Sequence, residues 1–136
     1  MTEQDQSKQC ISGGCLCGGV RFQASGPVRD VIYCHCSQCR KTSGHFGAFT
    51  NVKREKLEML AEDTLKWYVS SDQARRGFCS GCGSSLFWDS GDKSVIGIAA
   101  GTLNTPTGLK ADRHIFVDDK SDYVKIGDDL PQLAKY

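Results

Sequence analysis

The sequence predicts a mainly β protein, and three observations carry that expectation. Short runs rich in β-branched and aromatic residues recur between turn signals. The chain holds 15 glycines in 136 residues, which suits many tight turns. Two of its cysteine clusters lead directly into strand-like runs.

The expected strands, in order, are residues 20–24 (VRFQA), 31–36 (VIYCHC), 65–70 (LKWYVS), 85–88 (SLFW), 95–99 (VIGIA), 113–117 (RHIFV) and 123–126 (YVKI). Gly26-Pro27, Ser90-Gly91-Asp92, Asn104-Thr105-Pro106 and Gly127-Asp128-Asp129 punctuate them. Residues 52–63 read two ways. Leu57, Leu60 and Ala61 stand at helical spacing, while Leu57 and Met59 also alternate as in a strand.

The length fits one core, with residues 1–10 as a flexible N-terminus and 11–136 as a single domain. The formal charge is +1, split as +2 over residues 1–68 and −1 over 69–136. That balance supplies no electrostatic basis for nucleic acid or membrane as the main partner. Residues 1–9 are polar, and no later run approaches the ~20 apolar residues of a membrane span. The reading is therefore cytoplasmic. There thiols stay reduced, so eight cysteines are metal ligands or reactive groups before they are disulfides.

One internal echo stands out. Cys17-Gly18-Gly19-Val20-Arg21-Phe22 and Cys82-Gly83-Ser84-Ser85-Leu86-Phe87 each run Cys-Gly and reach Phe five residues after the Cys. Each reads as a metal knuckle feeding a strand, with glycine permitting the turn that aims backbone N–H groups at sulfur.

Seven cysteines form three clusters, and Cys10 stands alone. Cys15 and Cys17 together with Cys79 and Cys82 supply the four ligands of a closed zinc site, two short pairs far apart in sequence. Cys34, Cys36 and Cys39 remain. Strand periodicity puts Cys34 and Cys36 on one face and turns His35 away, as a structural or outer-face residue, while Cys39 completes a CxxC knuckle with Cys36. Three thiolates and one open position is the pattern of a catalytic zinc. The alternative is a closed site completed by Cys10, His45 or His114.

An electron-rich three-thiolate zinc is a poor activator of water and a good holder of a fourth thiolate, so the chemistry it favours is a thiol substrate meeting a small electrophile. A zinc nucleobase deaminase is excluded, because no histidine here opens an HxE motif.

GCLCGGVRF from Gly14, CHCSQCRKTSG from Cys34, RRGFCSGCGSSLF from Arg75 and HIFVDDKSDYVKIGDDLP from His114 together resemble the glutathione-dependent formaldehyde-activating enzyme family, whose animal relatives include centromere protein V. The resemblance covers essentially the whole chain after about Cys10. It implies an Mss4-like fold of coiled antiparallel β-sheets and two zinc ions per chain. It places a structural zinc on Cys15, Cys17, Cys79 and Cys82, and a catalytic one on Cys34, Cys36 and Cys39. The implied activity is that of a carbon–sulfur lyase joining glutathione to formaldehyde as S-(hydroxymethyl)glutathione, with a small-molecule thiol and aldehyde as partners.

Arg40, Lys41, Arg75 and Arg76 lie near zinc ligands in sequence and could meet glutathione carboxylates, balance thiolate charge or sit in solvent. His114 reads either as a general acid for the developing alkoxide or as a structural histidine. His45 reads as a loop residue. A non-catalytic zinc-organised binding module and a thiol redox sensor are the competing functional readings.

Overall fold

Alternation decides the fold. In the computed structural model, which describes residues 9–136, the apolar runs become strands that pack as two sheets. The strands are β1 (Cys10–Gly14), β2 (Val20–Ser25), β3 (Val31–Cys34), β4 (Gly47–Lys53), β5 (Leu57–Glu62), β6 (Leu65–Val69), β7 (Arg75–Cys79), β8 (Ser85–Asp89), β9 (Val95–Ala99) and β10 (Ala111–Ile115). One short helix, α1 (Ser37–Ser43), lies between β3 and β4. The smaller sheet has the order β1-β2-β5, and the larger runs β10-β3-β4-β9-β8-β7-β6.

The core fills the space between the sheets. Val20 and Phe22 of β2 are fully buried against Leu86 and Phe87 of β8, Ile98 of β9 and Val52 of β4. The Phe22 and Phe87 rings lie 5.3 Å apart in a tilted pair. The two sequence echoes thus end on aromatic side chains that meet across the core, one from each sheet. Each such buried side chain contributes about 1.5–3 kcal/mol of transfer free energy.

Residues 52–63 resolve in favour of alternation. β4 ends at Lys53, a 3-10 turn spans Arg54–Lys56, and β5 then alternates half-buried and exposed residues along its length. β1, β4 and β7 are strands that the apolar pattern does not announce.

Three expectations are corrected. The strand over 31–36 stops at Cys34, because Cys36 becomes the N-cap of α1 and its sulfur accepts the Cys39 N–H. Residues 123–126 form no strand. The free edge of β10 is taken instead by the C-terminal tail, with His114 N–H donating to Pro131 O at 2.9 Å and Leu133 N–H to His114 O at 2.9 Å. The sheets are not wholly antiparallel, since β10 pairs with β3 in parallel. Of the expected N-terminal segment 1–10, residues 1–8 lie outside the described residues, and Cys10 already pairs with Ser25 in β1.

A polar latch fastens one end of the larger sheet. Asp89, at the end of β8, is buried and accepts hydrogen bonds from Arg54, from Arg75 at 3.1 Å and from the Gly91 N–H at 2.9 Å. Burial alone disfavours the ionised form, but Arg54, the Gly91 N–H and Arg75 outweigh it and hold the carboxyl below the usual carboxylate range. A carboxylate held low in the folded state contributes stability that is complete above its unfolded pKa of ~3.9 and is lost as pH falls through the lower folded value. Asp89→Asn is expected to cost about 1–3 kcal/mol near neutrality. The gap to wild type should narrow below about pH 4. Urea titrations across that range check it, and a gap that does not change with pH contradicts the latch.

Candidate metal centres

The first cluster sits where the two sheets meet. After β1 the chain turns tightly, with Cys15 N–H donating to Val20 O at 3.0 Å, and presents Cys15 and Cys17. β7 delivers Cys79, and the following turn delivers Cys82, with Gly83 N–H donating to Cys79 O at 2.8 Å. The glycines after Cys17 and Cys82 adopt φ of +84° and +81°, a region that costs other residues strain. The echo read from sequence is therefore a repeated backbone device.

All four sulfurs lie within 4.8 Å of one another, and Cys17 Sγ is 3.6 Å from both Cys15 Sγ and Cys79 Sγ. That is too long for a disulfide, whose sulfurs sit ~2.05 Å apart. It matches the ~3.8 Å edge of a tetrahedron of thiolates about a zinc at ~2.3 Å. The surroundings favour thiolate at Cys79 and Cys82, whereas at Cys17 the Gly19 N–H acts in that direction but is outweighed by the Cys79 and Cys15 thiols, which push the group up to about 11. Val20 N–H donates to Cys15 Sγ at 3.2 Å, and Gly81 and Cys82 N–H to Cys79 Sγ at 3.3 and 3.4 Å. The Thr64 hydroxyl lies 3.1 Å from Cys79 Sγ and lowers that thiol's pKa, while the Ser84 hydroxyl and N–H bring Cys82 down to about 5. A Cβ at Gly81 would stand 3.3 Å from Cys17 Sγ, so the knuckle closes tightly on its sulfurs. This set fits a tetrahedral structural metal.

The second cluster joins Cys34 at the end of β3, Cys36 at the cap of α1 and Cys39 in its first turn, again with sulfurs within 4.8 Å. No fourth Cys, His, Asp or Glu atom joins the group among the described residues. The Cys34 and Cys39 thiols and the Cys39 and Gln38 N–H groups hold Cys36 far below the usual thiol range, whereas its contacts with Cys36 and Cys39, together with burial, push Cys34 up. All three cysteines line a cavity of about 540 Å³, within the ~300–1,000 Å³ typical of small-molecule sites. Phe116, at φ +55°, also lines it, and its N–H is tied to Lys135 O of the tail at 3.1 Å. Three soft ligands beside a roomy cavity fit a metal with an exchangeable position.

His35 is fully buried and takes no part in the three-cysteine group. Its Nε2 lies 2.8 Å from His114 Nδ1, and His114 Nε2 lies 2.9 Å from Asp128 Oδ2. Asp128 accepts from His114 Nε2–H, and a single proton bridges His35 Nε2 and His114 Nδ1 between two buried rings. Burial first, and His114 second, lower the His35 pKa. His114 does not line the cavity, and His45 lies 3.1 Å from the Tyr123 hydroxyl. Neither completes the second cluster, and exposed Cys10 is held in β1.

The four basic candidates separate. Arg40 and Lys41 fall in the last turn of α1, away from the cavity lining, and Arg75 is committed to Asp89 and the face of Trp67. Arg76 alone reaches a cluster, with Nη2 3.7 Å from Cys39 Sγ. Thr64 and Ser84, whose hydroxyls meet the first cluster, carry no motif signal, because their contacts depend on how β6 and β8 begin.

The family model for the glutathione-dependent formaldehyde-activating enzyme matches residues 10–119. The chain belongs to that family. A Halomonas elongata protein provisionally named a glutathione-dependent formaldehyde-activating enzyme is 29% identical over 126 residues, covering 85% of this chain and 80% of its own. A Schizosaccharomyces pombe protein named an uncharacterized lyase is 30% identical over 112 residues, covering 81% and 80%. In fold, this family member is similar to a crystal structure of a Rhodobacter sphaeroides protein, with a TM-score of 0.61 and 21% identity over 74% of this chain and 97% of that one. Among its described residues no helix is long and apolar enough to cross a membrane.

Proposed function

We propose that the protein joins a thiol, glutathione, to formaldehyde at the Cys34, Cys36 and Cys39 centre, as a zinc-dependent carbon–sulfur lyase of the cytoplasm. The observation that carries the reading is a set of three cysteines with no fourth Cys, His, Asp or Glu donor among the described residues, opening on a cavity of small-molecule size. Cys15, Cys17, Cys79 and Cys82 would hold a second, structural zinc. Family membership supports the substrate pair.

A zinc held by Cys34, Cys36 and Cys39 would supply a position in which an incoming thiol is fixed as its thiolate at neutral pH. The chain's own part is to position the reactants. The three cysteines would hold the substrate sulfur at the cavity wall, beside the apolar side chains of Ile32, Phe49 and Ile115. The sulfur attacks the carbonyl carbon of formaldehyde, a C–S bond forms, and the C=O π pair moves onto oxygen. That oxygen takes up a proton equivalent to the one the thiol gave up, yielding the hemithioacetal S-(hydroxymethyl)glutathione. His114 is not the donor in this scheme, since both its ring nitrogens are occupied and it stands outside the cavity lining. The proton comes from solvent.

Cobalt substitution tests the reading. Adding millimolar glutathione to protein loaded with cobalt is expected to intensify the sulfur-to-cobalt charge-transfer band as a fourth thiolate enters. An unchanged spectrum together with absent formaldehyde turnover would favour a non-catalytic module.

A further inference from the structure

We infer that Arg76 is the counter-ion of the Cys34, Cys36 and Cys39 centre, a positioning residue that stabilises metal there and leaves the four-cysteine centre untouched. The inference rests on the proposed metal reading of that cluster. Arg76 is only 8% exposed, yet none of the ion pairs among the described residues includes it. A guanidinium stays charged at any working pH, and a buried charge without an opposite one is costly. Its polar neighbours are Thr42 Oγ1 at 3.3 Å, Gln38 Oε1 at 3.4 Å and Cys39 Sγ at 3.7 Å, and its Nε is buried without a partner. Of these groups only the sulfur can carry a negative charge.

The charge count matches. Three thiolates on a divalent ion leave one net negative charge, which one guanidinium neutralises. No Asp or Glu side chain among the described residues lines the cavity, whose charged side chains are Arg29, Arg76 and Lys93, and the negative charge at Tyr136 acts on Arg29. The geometry also explains why the residue is an arginine. Gln38 and Thr42 flank Cys39 on α1, so the planar fork reaching over from β7 spans the face of the helix that carries the ligand. Neighbouring Arg75 is the contrasting case, half-exposed and already paired with Asp89.

Zinc release to a colorimetric chelator from the full-length, zinc-loaded protein tests this. Wild type should release zinc in a fast phase from the three-cysteine centre and a slow phase from the other. Arg76→Met should accelerate the fast phase about 10–100-fold, the scale of losing an outer contact to a metal ligand, with the slow phase unchanged. Arg76→Gln, neutral but still able to donate hydrogen bonds, should behave like Arg76→Met. Arg76→Lys should fall between it and wild type. Arg75→Met should leave the fast phase alone. A wild-type fast phase in Arg76→Gln overturns the counter-ion role, and this arm decides even where Arg76→Met does not fold. Equal acceleration of both phases, not relieved by Arg76→Lys, overturns it in favour of a scaffold role. Wild-type protein with a single slow zinc overturns the metal reading of the cluster itself, and the counter-ion with it.

Discussion

Cys82→Ser is expected to strip the four-cysteine centre of its metal and to lower the melting midpoint by roughly 10 °C or more, several kcal/mol for a domain of this size. Cys15 and Cys17 precede β2 of the smaller sheet, whereas Cys79 and Cys82 bridge β7 and β8 of the larger one. A metal bound by all four ties the sheets together above the Phe22–Phe87 contact, so its binding energy becomes folding energy. Serine retains a polar group but not a soft thiolate. Metal analysis by plasma mass spectrometry, paired with calorimetry, reads both effects. A variant that keeps its zinc and its melting temperature refutes the assignment.

The second large effect separates two adjacent residues. Cys36→Ser should abolish the glutathione response of the cobalt protein and lower adduct formation by more than about 100-fold, beyond the loss of an outer contact. His35→Ala should keep the response, because His35 lies outside the ligand group and turns toward His114. Its cost falls on stability instead. Removing a fully buried ring and its hydrogen bond should destabilise by about 2–4 kcal/mol, visible in urea denaturation. A folded His35→Ala protein without the cobalt response would show that the ligand set is wrong.

Much of this was legible in the chain because it depends on spacing. Strand periodicity sets Cys34 and Cys36 together and His35 opposite, and that separation survives although the strand ends at Cys34, since Cys36 is still extended at ψ 159°. The Cys-Gly echo reported two equivalent turns because positive φ is a local demand that glycine meets. The limits are equally physical. β1 and β7 are rich in glycine, cysteine or arginine, and gain strand structure from their neighbours rather than from their own composition. The 123–126 segment has the right composition, but the neighbouring edge of β10 is taken by residues 131–133.

By itself the sequence determined the β class and the sorting of seven cysteines into a four and a three, since both follow from local spacing and residue type, and it carried the family as a resemblance over four motifs. The tertiary structure alone decided which arginine meets a sulfur, that His114 is shut into a buried pair with His35, and that the three-cysteine cluster opens on a cavity. Each depends on contacts between segments distant in the chain. Arg76 and Cys39 stand 37 residues apart and His35 and His114 are 79 apart, and only the reach of the Arg76 side chain from β7 to α1 and the parallel pairing of β10 with β3 bring them together.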